Sequence, residues 1–213
     1  MLDEHYKKLN CKLTPLKKAG KEYKLIDQYV DNTGKGYWGG KGLKALDIYG
    51  IERQGEEARF NKKIGNNVLL WHGSGVPNFV GILSQGLRIA PPEAPVSGYR
   101  FDKGVYFADM LRLSAGYCRN SPGSVGCLLL CEVACGKQHE AQYFSKPLPK
   151  GTDSFLYQGA ECPPAKSYQK INTRTSIPAG APTAHKGGNW GDSQWVIYDV
   201  NQIKMKYIIR MQF

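Results

Sequence analysis

Apolar positions along this chain fall into short runs, and the spacing inside each run predicts its element. Over 21–30 the residues Leu25, Ile26, Tyr29 and Val30 recur at helical spacing, and Asn32 to Gly36 supplies the stop. A strand is predicted over 43–53, and a short charged helix or turn over 55–62. The run Leu69-Leu70-Trp71-His72-Gly73-Ser74 predicts a buried strand. A helix is expected over 78–85, with Gly86 as a left-handed cap. Next come a strand over 104–107, a helix over 111–118 and a strand over 126–133. Two strands, 194–198 and 204–211, close the chain. The intervening segments read as loops. The glycine-rich stretch 34–42 lacks the Gly-Lys-Ser/Thr ending of a phosphate-cradling loop. Pro91, Pro92 and Pro95 make 89–99 a stiff connection between two strands. The segment 136–191 is expected to be loop-rich. Many strands with few helices between them, without a repeat or a linker, predict a single α+β domain over 1–213.

Composition narrows this picture. An apolar fraction of 41% suits a folded globule, and no run is long enough for a membrane helix. The N-terminus lacks a signal pattern, so no membrane partner is expected. The formal charge of +11 favours polyanionic partners or substrates without naming one. The stretch 163–190 holds Lys166, Lys170, Arg174 and Lys186 and no acidic residue. It reads either as a solvated loop or as the border of a site for a nucleic-acid acceptor. None of the six cysteines forms a CxxC pair, so no metal site is expected. Cys127, Cys131 and Cys135 share one face of an apolar strand, where they serve as small core hydrophobes. Free buried thiols suit a reducing, intracellular compartment.

Chemistry concentrates at two strand ends. One delivers His72, Gly73 and Ser74; the other, in Gly98-Tyr99-Arg100-Phe101-Asp102-Lys103-Gly104-Val105-Tyr106-Phe107-Ala108-Asp109, delivers a phenol. Taken singly, His72 suits a structural histidine, Ser74 a helix cap, and Tyr99, Tyr106 and Tyr117 ordinary aromatic packing. Together they outline a cleft. The helix that starts just after Tyr106 ends at Tyr117, so both phenols can wall one slot. Gly73 permits close backbone approach, which suits a flat, amide-bearing ring. His72 and Ser74 could bind ribose or adenine edges.

The chain resembles the catalytic domain of the poly(ADP-ribose) polymerases, in their DNA-damage-responsive nuclear branch. The resemblance rests on 69–74, on 81–95 (Gly81 to Pro95), on 103–110 (Lys103 to Met110) and on Val196-Ile197-Tyr198-Asp199, with weaker likeness over 2–6 and 47–53. It implies two packed, mostly antiparallel β-sheets with flanking helices and an NAD cleft. It implies that Gly73 and Ser74 hold the nicotinamide amide, that Tyr117 stacks on the ring and that Tyr106 lines the slot. His72 would bond the adenosine ribose, Arg88 would lie near the adenine, and Tyr99, Phe107 and Ser114 would complete the lining. The segment 89–99 matches the family's donor loop. NAD is then the co-substrate, a protein the expected acceptor, the protein a monomer, and a nucleus its setting in a eukaryote.

One departure stands out. The family places a glutamate on the strand before the closing Tyr-Asp, and the matching position here is Gln194. His72, Tyr106 and Gln194 would form the catalytic set. Glutamine can accept a bond from a ribose hydroxyl but carries no charge and takes no proton. Either a glutamate has been replaced by design, or the chain is a natural transferase of single units; an inactive NAD-binding module and a basic nucleic-acid binder are the other readings. The helical regulatory domain and zinc fingers of the nuclear members do not precede the fold in this sequence, which reads either as an excised domain or as an unregulated natural form, so DNA control is not assumed.

Overall fold

The computed structural model describes residues 2–36, 42–92, 99–144 and 146–213. In chain order the elements are α1 (Leu2–Lys8), β1 (Cys11–Pro15), α2 (Lys21–Thr33), β2 (Lys44–Arg53), α3 (Glu56–Arg59), β3 (Asn67–Gly73) and α4 (Phe79–Gln85). They continue with β4 (Val105–Phe107), α5 (Leu111–Ala115), β5 (Val125–Ala134), β6 (Gln138–Glu140), β7 (Ser154–Tyr157) and β8 (Gly159–Cys162). Last come β9 (Gln169–Lys170), β10 (Ser176–Ile177), β11 (Thr183–Ala184), β12 (Asn189–Asp192), β13 (Gln194–Ile197) and β14 (Ile203–Gln212).

A seven-stranded sheet runs in the order β1-β2-β14-β5-β3-β10-β9. A four-stranded sheet, β4-β13-β7-β6, packs on it, and a small third sheet, β11-β8-β12, extends the architecture. Pairing is mostly antiparallel, with parallel exceptions such as β3 with β10. The α+β reading therefore holds, with one sheet more than expected among the described residues.

Period-two alternation sorts the large sheet's side chains onto two cores. On β5, Cys127, Leu129, Cys131 and Val133 join the core shared with the four-stranded sheet, whereas Leu128 and Leu130 join the core beneath α2 and α5. Cys135, just past β5, lies in the same core as Cys131, as their parity predicts. Both faces of β5 are thus covered, which explains its near-continuous apolar run. On β13, Trp195 and Ile197 enter the shared core, while Val196 faces a third cluster with Phe101, Phe155 and Tyr157.

Several expectations shift. The buried stripe of α2 is Tyr23, Ile26, Tyr29, Val30 and Thr33, with Leu25 only half-buried. The helix predicted over 111–118 is α-helical to Ala115 and then tightens into a 3-10 turn at Gly116–Cys118. Gly86 has φ 80° but ψ 176°, an extended positive-φ cap rather than the left-handed helical one. The segment 136–191 is loop-rich as expected, yet it also supplies the short strands β6 to β11 and most of β12. Parts of the glycine-rich loop (37–41) and of the proline-rich loop (93–98) lie outside the described residues.

Candidate active site

Among the described residues one isolated backbone bridge links the two large sheets. Trp71 N–H donates to the Ala108 carbonyl at 2.8 Å, and Ala108 N–H donates to the Trp71 carbonyl at 3.0 Å. This bridge fastens the end of β3 to the end of β4. Alternation then aims the last residues of β3 in opposite directions. Leu70 belongs to the core shared with the four-stranded sheet, so His72 points the same way; its ring centroid lies 5.6 Å from that of Phe107. Gly73 points the other way, onto α5.

That contact requires glycine. A β-carbon at Gly73 would collide with the Ser114 carbonyl oxygen and approach Cys118 Sγ to 3.3 Å. The Ser114 hydroxyl donates to the Trp71 carbonyl at 3.0 Å, which pins α5 to β3 and leaves the hydroxyl oxygen's lone pairs to accept from an incoming N–H. The close approach inferred for Gly73 is therefore to helix backbone. The Ser74 hydroxyl accepts from Asn78 Nδ2 at 2.9 Å, at the start of α4.

His72 Nδ1 lies 2.9 Å from the Tyr106 carbonyl. A carbonyl only accepts, so the proton sits on Nδ1 and Nε2 carries a lone pair. Burial lowers the pKa of His72 below its ordinary value, against the pull of that hydrogen bond, so the neutral ring dominates at neutral pH. Such a ring can accept from a sugar hydroxyl through Nε2.

Tyr106 is fixed at both ends. Its hydroxyl accepts from Phe101 N–H and donates to the Asp102 carbonyl, each at 2.8 Å. Burial pushes its phenol up to about 12, with Tyr117 and Tyr99 among the neighbours that contribute, so the three phenols share one neighbourhood. Tyr117 itself is 58% exposed, which leaves its ring free to receive a partner.

Gln194 opens β13, opposite Tyr157 of β7. Val196, two residues on, pairs with Tyr106, so Gln194 lies on the same sheet face as Tyr106 and Tyr157. Its side-chain amide makes no hydrogen bond with a described residue. Phe107, by contrast, is buried in the shared core. Tyr99 is half-buried before the Tyr106 hairpin, and Arg88 is exposed after α4, outside the strands that form the joint.

The residue pattern missed a polar frame around this site. Arg112 on α5 grips Asp192 with Nε and Nη2 at 2.6–3.1 Å and reaches Glu161 Oε2 at 2.7 Å. This ties α5 to the strand that leads into Gln194, and the nearby carboxylates raise the Arg112 pKa further. Asp109, in the turn between β4 and α5, is 1% exposed. Its carboxyl is pushed up to about 7, first by burial and then by the charge of Asp192. An acid flanked by Ala108, Met110 and Leu111 is the only sequence signal that could have flagged it.

Residues 20–213 match the family model described as the poly(ADP-ribose) polymerase catalytic domain. The chain belongs to that family. It is 39% identical, over its whole length, to poly [ADP-ribose] polymerase 1 of Arabidopsis thaliana, and 43% identical, over 98% of its length, to poly [ADP-ribose] polymerase 2-A of Oryza sativa subsp. japonica. It is also 43% identical over its full length to poly [ADP-ribose] polymerase of Drosophila melanogaster. The chain spans 22% to 33% of the length of these relatives. Poly(ADP-ribose) polymerases use NAD as co-substrate, so the joint of β3, β4, α5 and β13 is the place to test for it. No described helix is long and apolar enough to cross a membrane.

Proposed function

We propose that this chain transfers ADP-ribose from NAD to a macromolecular acceptor and releases nicotinamide. The observation that carries this reading is the sheet joint, which sets Gly73 against Ser114 and Tyr106 on the sheet face that holds Gln194. In this reading the nicotinamide ring lies on Tyr117, with its amide at the Gly73 backbone and the Ser74 and Ser114 hydroxyls. Tyr106 closes the slot. His72 Nε2 accepts from the adenosine ribose, and Arg88 and Tyr99 flank the donor.

The chemistry assigns each group a task. The glycosidic bond breaks, and its electron pair leaves with nicotinamide as a neutral base. Positive charge builds on the ribose carbon, an acceptor oxygen or carboxylate bonds to it, and any acceptor proton passes to solvent. A carboxylate beneath the ribose would stabilise that charge. Gln194 offers only a neutral carbonyl. Hydrogen bonds to charged groups contribute roughly 1.5–3 kcal/mol against about 0.5–1.5 for neutral ones, so the rate falls roughly five- to thirty-fold. Where a general base is needed, a further factor of about 10²–10⁴ is lost. Transfer is thus impaired or limited to single units.

A protein is the acceptor we favour, with a nuclear setting and a monomeric chain. The basic stretch 163–190 gives little support to a nucleic-acid acceptor, because Arg174 is bound to Glu132 and Lys170 donates to the Arg174 carbonyl. The test is incubation with NAD labelled in each half, alongside protein and nucleic-acid acceptors, with products resolved by mass. Free nicotinamide together with ADP-ribosylated protein is expected. NAD left intact over the longest incubation would contradict the function.

A further inference from the structure

Gln194 is flanked in sequence by two buried residues, Ser193 and Trp195, and both turn to the same group. The Ser193 hydroxyl accepts from Gln158 Nε2 at 3.0 Å and from Gly159 N–H at 3.1 Å. With both acceptor positions filled, its own proton is left to donate, and the Asp109 carboxyl lies beside it. On the other side, Trp195 Nε1 is buried without a close partner, as is Asp109 Oδ1. The indole N–H also faces the Asp109 carboxyl. Trp195 pairs with Phe107 across β13 and β4, so the turn that carries Asp109 lies against Ser193 and Trp195, and Gln194 sits between them on the opposite side of the strand. The β4–α5 turn that carries Asp109 also links the strand of Tyr106 to the helix of Ser114.

We propose that Asp109 is a positioning residue for the transfer step, holding Gln194 in register through Ser193 and Trp195 without touching substrate. The proposal rests on the function assigned above. The ionised carboxyl accepts more strongly from both donors than the neutral acid does, so the grip is strongest when Asp109 is deprotonated. Burial and Asp192 place that change at about 7, with the Asp109 backbone N–H, Trp195 and Ser193 pulling the other way. Three of the groups packed around it are displaced away from that range. Tyr29 on α2 and Tyr168 before β9 are pushed well above their ordinary values by burial, and burial raises Cys162 on β8 to about 11. Asp192 is held by Arg112, which also reaches Glu161, and His185 lies one step further out, 3.9 Å from Cys162. His72 titrates below its ordinary value, on the acid side of Asp109.

Two measurements test this on the full chain, with Asp109→Asn and Ser193→Ala beside the parent. The first is nicotinamide release from NAD between about pH 5.5 and about pH 9. Parent kcat should rise through about pH 7, following the Asp109 carboxyl. Asp109→Asn should lose that limb and about tenfold in kcat, with KM for NAD and affinity for a nicotinamide analogue changed less than about twofold. Ser193→Ala should keep the limb and lose a smaller part of kcat. The second is the indole N–H resonance of Trp195, which should titrate with the same midpoint in the parent and lie flat in Asp109→Asn. Should Asp109→Asn not fold, Ser193→Ala decides through the same two readouts, since loss of one donor must shift the Trp195 midpoint. Turnover with a flat Trp195 resonance, or a kcat that ignores both substitutions, would overturn the proposal alone. A titrating Trp195 with no turnover in any form would overturn the assigned function and the positioning role with it.

Discussion

Two buried carboxylates, Glu132 and Asp109, show how differently this chain treats its scaffold and its site. Glu132 lies at the centre of the large sheet, fully buried, on β5. Its Oε1 accepts from Asn67 Nδ2 at 2.9 Å, Arg174 Nε at 3.0 Å and Thr175 Oγ1 at 2.7 Å. Burial alone would raise its pKa, but the bonds from Thr175, Asn67 and Arg174 outweigh it and hold the carboxyl below its ordinary value. Asp109 is as deeply buried, yet it receives two loose donors, leaves Oδ1 unpartnered and faces a second acid, so it rises to about 7. The first carboxylate gathers three donors on Oε1, with Oε2 left unpartnered, and so joins β3, β5 and the segment before β10. The second has been left short of partners where the ends of β3 and β4 join. Strained or underpaired groups of this kind gather at working sites and cost stability there.

The two acids should therefore bend the stability curve in opposite directions. Glu132, with its depressed value, contributes stability above the ordinary carboxylate range, and that contribution disappears as pH falls through its folded-state value. Asp109 keeps in the folded state a proton that the unfolded chain releases at about 3.9, so its effect is a loss of stability as pH rises from there to about 7.

The largest effect is expected at the acid that gathers three donors. Arg174→Ala leaves Glu132 buried with two neutral donors and also removes the guanidinium 5.9 Å from the Phe60 ring centroid. Breaking a buried pair costs about 3–5 kcal/mol, and the partial exposure of Arg174 lowers this to roughly 2–3 kcal/mol. Denaturant unfolding at neutral pH measures it; a loss below about 0.5 kcal/mol would put Glu132 in the same class as Asp109. The opposite sign is expected at the underpaired acid. Asp109→Asn should stabilise the fold by about 1–2 kcal/mol at pH 8 and by less at pH 5, while slowing turnover. Thermal unfolding at both pH values checks it, and destabilisation that is independent of pH would erase the contrast. The smallest effect falls on the exposed rim of the site. Tyr117→Ala should leave stability nearly unchanged and weaken a nicotinamide analogue by about 1 kcal/mol, through loss of the stacking face. Unchanged affinity in calorimetry would move the ring out of this slot.

What could be read from the sequence followed from local periodicity. The strands ending at Gly73 and Phe107, the cysteine parity on β5 and the closing strands β13 and β14 all carry their signal in adjacent residues. The joint carried it too, as polar residues at strand ends. Between Ala141 and Trp190 the signal fails for a physical reason. Strand β7 is only Ser154–Tyr157, an apolar run too short to distinguish from a loop anchor, and β8 is Gly159–Cys162, whose small residues show no alternation. Their stability comes from pairing across distance: β7 on β13, and β8 on β12. The Arg112–Asp192–Glu161 frame and the Asp109 contacts are long-range as well, spanning 49 to 86 positions (109 to 195 at the far end), so no window along the chain contains both partners.

The central claim is that the joint cleaves NAD and that Gln194 occupies the position which governs the rate. Substituting Gln194→Glu and measuring nicotinamide release from NAD tests it most directly. The account predicts a rise of at least about tenfold, the size of one restored charged hydrogen bond, with nicotinamide-analogue affinity unchanged because Gly73, Ser74, Ser114 and Tyr117 build that slot. An unchanged rate in the folded variant would contradict it and remove Gln194 from the catalytic position.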